Sequence, residues 1–150
     1  MAEPNRECDF NPENVHLQFE REIPSTLDAA DRVIADAMAL VQRTETGRQH
    51  QTDIELALRE AVINAIVHGN QSDPAKRVHI CCACDNHEHI FIIVQDEGIG
   101  FDPHHLPDPT HPENLLATHG RGIFLINQLM DRVKFDKGGR EIRMVKTPRP

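Results

Sequence analysis

The stretch Gln51 to His68, QTDIELALREAVINAIVH, decides the fold. At about 100° per residue, apolar side chains from Ile54, Leu56, Ala57, Leu58, Ala61, Val62, Ile63, Ala65, Ile66 and Val67 cover most of a helix's circumference. Such a helix is buried rather than laid on a surface. One stripe breaks the pattern, because Glu60, Asn64 and His68 recur every fourth residue on one face, flanked by Ala57 and Val67. A carboxylate and an amide among apolar neighbours are costly unless something satisfies them. Either other protein groups do so, or the stripe faces a cleft that takes a ligand.

On the N-terminal side, residues 1–13 are polar with two prolines and read as a loose tail. Val15 to Ile23 alternates, with Val15, Leu17 and Phe19 on one face, as a half-exposed strand does. Pro24-Ser25-Thr26 offers a turn and an N-cap, and Leu27 to Gln42 returns Val33, Ile34, Ala37, Met38 and Val41 at helical spacing. A polar link, Arg43 to His50, leads into the central helix, and Gly69-Asn70 supplies a left-handed stop.

On the C-terminal side, Gln71 to Ala75 reads as a loop. Arg77 to Cys84 and His89 to Gln95 are strand-like and separated by Asp85-Asn86-His87-Glu88, which predicts an antiparallel hairpin. The stretch 101–119 is rich in prolines and histidines and lacks periodicity, so it is expected to be a mobile lid. Gly120-Arg121-Gly122 opens a helix from Ile123 to Met130, and strands follow at Arg132 to Asp136 and Glu141 to Lys146 around a Lys137-Gly138-Gly139 turn. The order predicts an α+β fold of two layers, with helices on one face of a mixed, mostly antiparallel sheet.

A length of 150 residues suits a single domain. The four cysteines make no spaced framework, and Cys81, Cys82 and Cys84 crowd into one strand, where core packing and a reducing compartment are expected. No segment nears the roughly 20 apolar residues of a membrane span, so a cytoplasmic protein with no membrane contact is expected. A net charge of −8 and the absence of Trp and Tyr argue against direct nucleic-acid binding. The basic run from Arg132 to Arg149 reads as a solvated face.

Three short signals carry chemistry. Glu60 and Asn64 place a carboxylate suited to a general base beside an amide oxygen, a hard ligand that suits Mg²⁺. The same two residues also fit a satisfied buried polar pair. Asp96-x-Gly98-x-Gly100 follows a strand, and its glycines permit positive φ and close backbone approach. A fixed carboxylate there accepts a hydrogen bond from an amino group such as adenine's, although an ordinary β-turn looks alike. Gly120-Arg121-Gly122 at a helix start offers free N–H groups and a guanidinium to phosphate, or is a flexible loop end. The lid histidines and His68 are left outside the site.

Taken together, ELALREAVINAIVHGN resembles the N box, DEGIGFDP the first glycine box and HGRGIFLINQLMD the second glycine box of the GHKL ATPases. Within that superfamily the chain resembles the anti-sigma factor serine kinases, from about Val15 to Lys146. The resemblance implies a Bergerat two-layer sandwich, with a histidine-kinase-like ATPase domain over residues 14–147. It implies Glu60 as catalytic base, Asn64 as the Mg²⁺ ligand and Asp96 as reader of the adenine amino group. Gly98 and Gly100 would shape the adenine pocket, and Gly120, Arg121 and Gly122 would face the phosphates of ATP.

The helical hairpin of sensor histidine kinases and the extra domains of chaperones and topoisomerases have no counterpart in these residues. The implied activity is a Mg²⁺-ATP-dependent protein serine kinase. It would phosphorylate a serine of a STAS-type anti-anti-sigma protein and sequester a sigma factor, as a homodimer. The alternative is a nucleotide-gated switch that grips a regulator without useful phosphotransfer.

Overall fold

The computed structural model describes residues 15–100 and 118–150, with side chains from Arg121 onward in the second part. The expected tail and all but the end of the expected lid, with His104, His105 and His111, lie outside them. Strand β1 (Val15–Pro24) turns Leu17, Phe19 and Ile23 toward the core. Helix α1 (Leu27–Val41) starts where expected, because the Thr26 hydroxyl accepts from the Ala29 N–H at 3.3 Å. It buries Ala30, Val33, Ile34, Ala37, Met38 and Val41, a stripe of helical period.

The polar link holds a short helix, α2 (Glu45–Gln49), that periodicity does not reveal. Thr44 caps it by accepting from the Gly47 N–H at 2.9 Å, and Glu88 caps it from across the molecule by accepting from the Glu45 N–H at 3.1 Å. The central helix, α3 (Gln51–Ile63), packs against α1 on one side and α4 (Thr118–Leu129) on the other. It is not buried all round as expected. Leu56 stays 36% exposed, and Val67 in the turn that follows 40%, because two helices and a sheet cover only part of the circumference.

Nor does α3 run straight to His68. From Asn64 to Gly69 the chain widens into a π-helical turn, with the Asn70 N–H donating to the Ala65 carbonyl at 2.8 Å. The left-handed residues are Gln71 (φ 53°) and Ser72 (φ 57°), not Gly69-Asn70, since the wider turn carries the helical path past the glycine.

Strands β2 (Arg77–Asp85), β3 (Ile90–Gln95), β4 (Arg132–Asp136) and β5 (Glu141–Lys146) join β1 in the order β1-β2-β3-β5-β4. Every pairing among the described strands is antiparallel, so the expected mixed character does not occur there. Ile80, Cys82, Cys84, Ile92, Val94 and Met144 point into the helix layer and share one core with α1 and α3. Cys81 and Ile93 meet on the other face. Cys82 and Cys84 are free thiols buried in the core shared with α1 and α3. Cys81 is disulfide-bonded, which removes the cysteine pattern as a ground for expecting a reducing compartment.

Asn70 ties the end of the π-turn to three other segments. Its fully buried amide donates to the Ser25 hydroxyl at 2.8 Å and to the Arg77 carbonyl at 2.9 Å, and accepts from the Glu97 N–H at 2.8 Å. Removing it takes a partner from the part-buried Arg77 carbonyl and Glu97 N–H, and leaves the buried Ser25 hydroxyl with only its bond to the Lys76 carbonyl at 2.7 Å. Asn70→Ala is expected to lower stability by roughly 2–4 kcal/mol. Urea unfolding followed by far-ultraviolet circular dichroism would measure it, and a loss within about 0.5 kcal/mol would refute the assigned role.

Candidate functional site

The helix layer and the sheet diverge beside the π-turn and leave a cavity of about 240 Å³. Asn64 and His68 line it from the turn, Asp96 and Gly100 from the loop after β3, Ile123 from α4, and Arg140 from the β4–β5 connection. Each wall has a local cause. The Asp96 N–H donates to the Arg140 carbonyl at 2.9 Å, which extends the β3–β5 ladder and holds the Arg140 turn against the loop. Gly100 adopts φ +81°, and a Cβ there would stand 2.1 Å from the Gly138 carbonyl oxygen.

Asp96 is set deep by two glycines. A Cβ on Gly69 would lie 2.3 Å from its Oδ2, and a Cβ on Gly98 would lie 2.1 Å from the Gly69 carbonyl oxygen. Oδ1 accepts from the Gly98 N–H at 2.8 Å. Burial raises this carboxyl above its usual range, opposed by the Gly98 N–H and by the charges of Arg140 and Lys76. The cavity therefore holds a partly desolvated acceptor, which favours a ligand that brings a hydrogen-bond donor.

The opposite wall joins the other two motifs. A Cβ on Gly122 would come within 2.9 Å of Glu60 Oε2 and 3.0 Å of Asn64 Nδ2, so the second glycine motif lies directly over the Glu60/Asn64 pair. Both side chains are half-buried and make no hydrogen bond or ion pair among the described residues. An open carboxylate and an open amide beside a cavity are hard oxygen donors, a set that fits a magnesium ion sharing its shell with water and phosphate.

Of the residues singled out in the sequence, Asn64, Asp96 and Gly100 line the cavity, Gly98 supports Asp96, and Glu60 and Gly122 meet beside Asn64. Arg121 is exposed, and the side of Gly120 lies outside the described residues. Gly120-Arg121-Gly122 lies within a helix that is already formed at Thr118, rather than before one starting at Ile123. Sequence reasoning missed Gly69, His68 and Arg140. His68 sits on the stripe and was set aside as helix-end packing. Arg140 was hidden because a strand pairing, not a motif, delivers it.

Comparison with known proteins bears on this arrangement. The histidine kinase-like ATPase domain family matches residues 23–146. The anti-sigma F factor of Bacillus subtilis is 32% identical over 102 residues, covering 63% of this chain and 68% of that protein. The serine-protein kinase RsbW of Oceanobacillus iheyensis is 33% identical over 90 residues, covering 56% of each. The anti-sigma F factor of the same organism is 36% identical over 87 residues, so the chain spans 58% of that relative's length. A crystal structure of the RsbU and RsbW domains of a Mycobacterium tuberculosis protein shares the fold, with a TM-score of 0.60, 18% identity, and coverage of 89% of this chain and 32% of that one. No helix among the described residues is long and apolar enough to cross a membrane. Three motifs converging on one cavity, within this architecture and with these relatives, place the chain in the histidine kinase-like ATPase domain family, in its branch of anti-sigma factors and serine-protein kinases.

Proposed function

We propose that the protein is a Mg²⁺-ATP-dependent protein serine kinase that acts as an anti-sigma regulator in the cytoplasm, phosphorylating a serine of a STAS-type anti-anti-sigma partner and sequestering a sigma factor. The observation that carries it is the open Glu60/Asn64 pair beneath Gly122, since a domain that merely held nucleotide has no use for an unpartnered carboxylate at that spot. Asp96 would accept from the adenine amino group, and Gly98 and Gly100 would let the backbone close on the ring. Bound through Asn64, Mg²⁺ would supply charge neutralisation at the phosphates. Glu60 would accept the proton of the incoming serine hydroxyl, and Gly120, Arg121 and Gly122 would face the transferred phosphoryl group. Catalysis of this kind is positioning plus electrostatics. A homodimer is part of the reading, by likeness to the family.

The experiment is transfer of label from γ-labelled ATP, with Mg²⁺, to each STAS-domain protein of the source cell. Label on a serine of one of them is the expected result. ATP binding without label on any would instead select a nucleotide-gated switch.

A further inference from the structure

The end of the β2–β3 hairpin remote from Asp96 gathers three metal-ligating side chains that the nucleotide site does not use. A ring nitrogen of His16, the sulfur of Cys84 and a carboxylate oxygen of Glu88 all lie within 4.8 Å of one another. Their convergence is built by irregularities. In regular pairing His16 would point away from the face that Leu17 shares with Cys84. The β1–β2 register shifts between Val15 and Leu17, a bulge that re-aims the intervening residue. Glu88 holds φ 63°, unusual for a residue with a side chain, and its carboxylate also caps α2.

Cys84 is free and fully buried, and among the described residues its hydrogen bond is a long one, 3.5 Å to the Asp85 carbonyl. Burial first, and then the charges of Glu88 and Asp85, push its thiol up to about 12. Asp85 itself is engaged, accepting from the His87 and His89 N–H groups and pairing with His89 Nδ1. A second cluster, Glu20, His79 and Cys81, has similar donors, but the disulfide at Cys81 withholds its thiolate.

We propose that His16, Cys84 and Glu88 form a Zn²⁺ site that clips β1, β2 and the hairpin turn to α2. Sulfur, imidazole and carboxylate together are a zinc donor set, and three protein ligands leave a fourth position for water. On binding, the Cys84 thiol gives its proton to solvent and its sulfur lone pair to the metal, with no change of oxidation state.

Co²⁺ serves as the coloured probe for this site. The chain has no Trp or Tyr, so a sulfur-to-cobalt charge-transfer band would stand clear in the near ultraviolet. The titration is run without reductant, so that Cys81 stays paired. One equivalent of Co²⁺ is expected to develop the band, Zn²⁺ to abolish it, and Zn²⁺ to raise the melting temperature. Cys84→Ser should lose the band. His16→Ala, at an exposed position that leaves the fold intact, should weaken Co²⁺ binding by at least about tenfold and remove the thermal shift. Absence of a band, wild-type affinity in His16→Ala, or a band that survives Cys84→Ser and vanishes in Cys81→Ser would each overturn the proposal.

Discussion

Glu60→Ala is expected to lower phosphoryl transfer by about a hundredfold to ten-thousandfold, while ATP affinity stays within about threefold. The selectivity follows from geometry. Glu60 lies on α3 beside Asn64 and beneath Gly122, and it does not line the cavity where Asp96 sits. Its loss therefore leaves the adenine end untouched and removes only the group that would take the serine proton. On the barrier scale the effect is about 3–5 kcal/mol. Labelled nucleotide titrations give the affinity, and single-turnover transfer to the identified partner gives the rate. Transfer at the wild-type rate would eliminate Glu60 as the base, whereas equal losses of affinity and rate would recast it as a binding residue.

Asp96→Asn should separate stability from function. Burial raises the Asp96 carboxyl, so as pH climbs from the ordinary carboxylate range the unfolded chain loses this proton before the folded chain does. Stability conferred by the protonated form is therefore present in acid and falls as pH rises to the raised folded value, above which the loss is complete. At neutral pH the ionised group burdens the nucleotide-free protein. The amide removes that burden, and its oxygen can still accept from the Gly98 N–H. The apo variant is expected to melt at or above the wild-type temperature at pH 7, and to lose the acid-side slope in stability that Asp96 contributes. ATP affinity should meanwhile fall at least about thirtyfold, roughly 2 kcal/mol, because a charged acceptor is lost. A variant that binds ATP normally would refute the assignment of Asp96 to the adenine amino group.

How much of this was legible in the sequence depended on the range of the interactions involved. Thr26 announced α1 because a cap acts over three residues, and the β2–β3 hairpin was readable because four residues join its strands. The stripe of Glu60 and Asn64 was readable because a buried helix has little else to do with such groups. Helix α2 was missed since one of its two caps, Glu88, comes from the hairpin on the other side of the chain. The π-turn was invisible to a pattern that assumes one helical period throughout. It moved the left-handed residues from Gly69-Asn70 to Gln71-Ser72. Arg140 and Gly69 entered the site only through contacts with Asp96 and its loop, one across the sheet and one by close backbone approach. Asn70 offered one residue of signal for a four-way junction.

The pairing of β1 has a consequence for how the molecule is made. Val15 pairs with Asp85 and Pro24 with Arg77, and all of α1, α2 and α3 lies between the two strands. During synthesis β1 leaves the ribosome first and waits, through three helices, for the strand that will satisfy its backbone. Closing so long a loop slows folding, and an unpaired strand is an aggregation hazard in the interval. The β2–β3 hairpin closes locally and supplies the template. Glu20, Arg21 and Glu22 on β1, which pair with Cys81, Ile80 and His79 in the finished sheet, carry charge that discourages two waiting chains from pairing with each other.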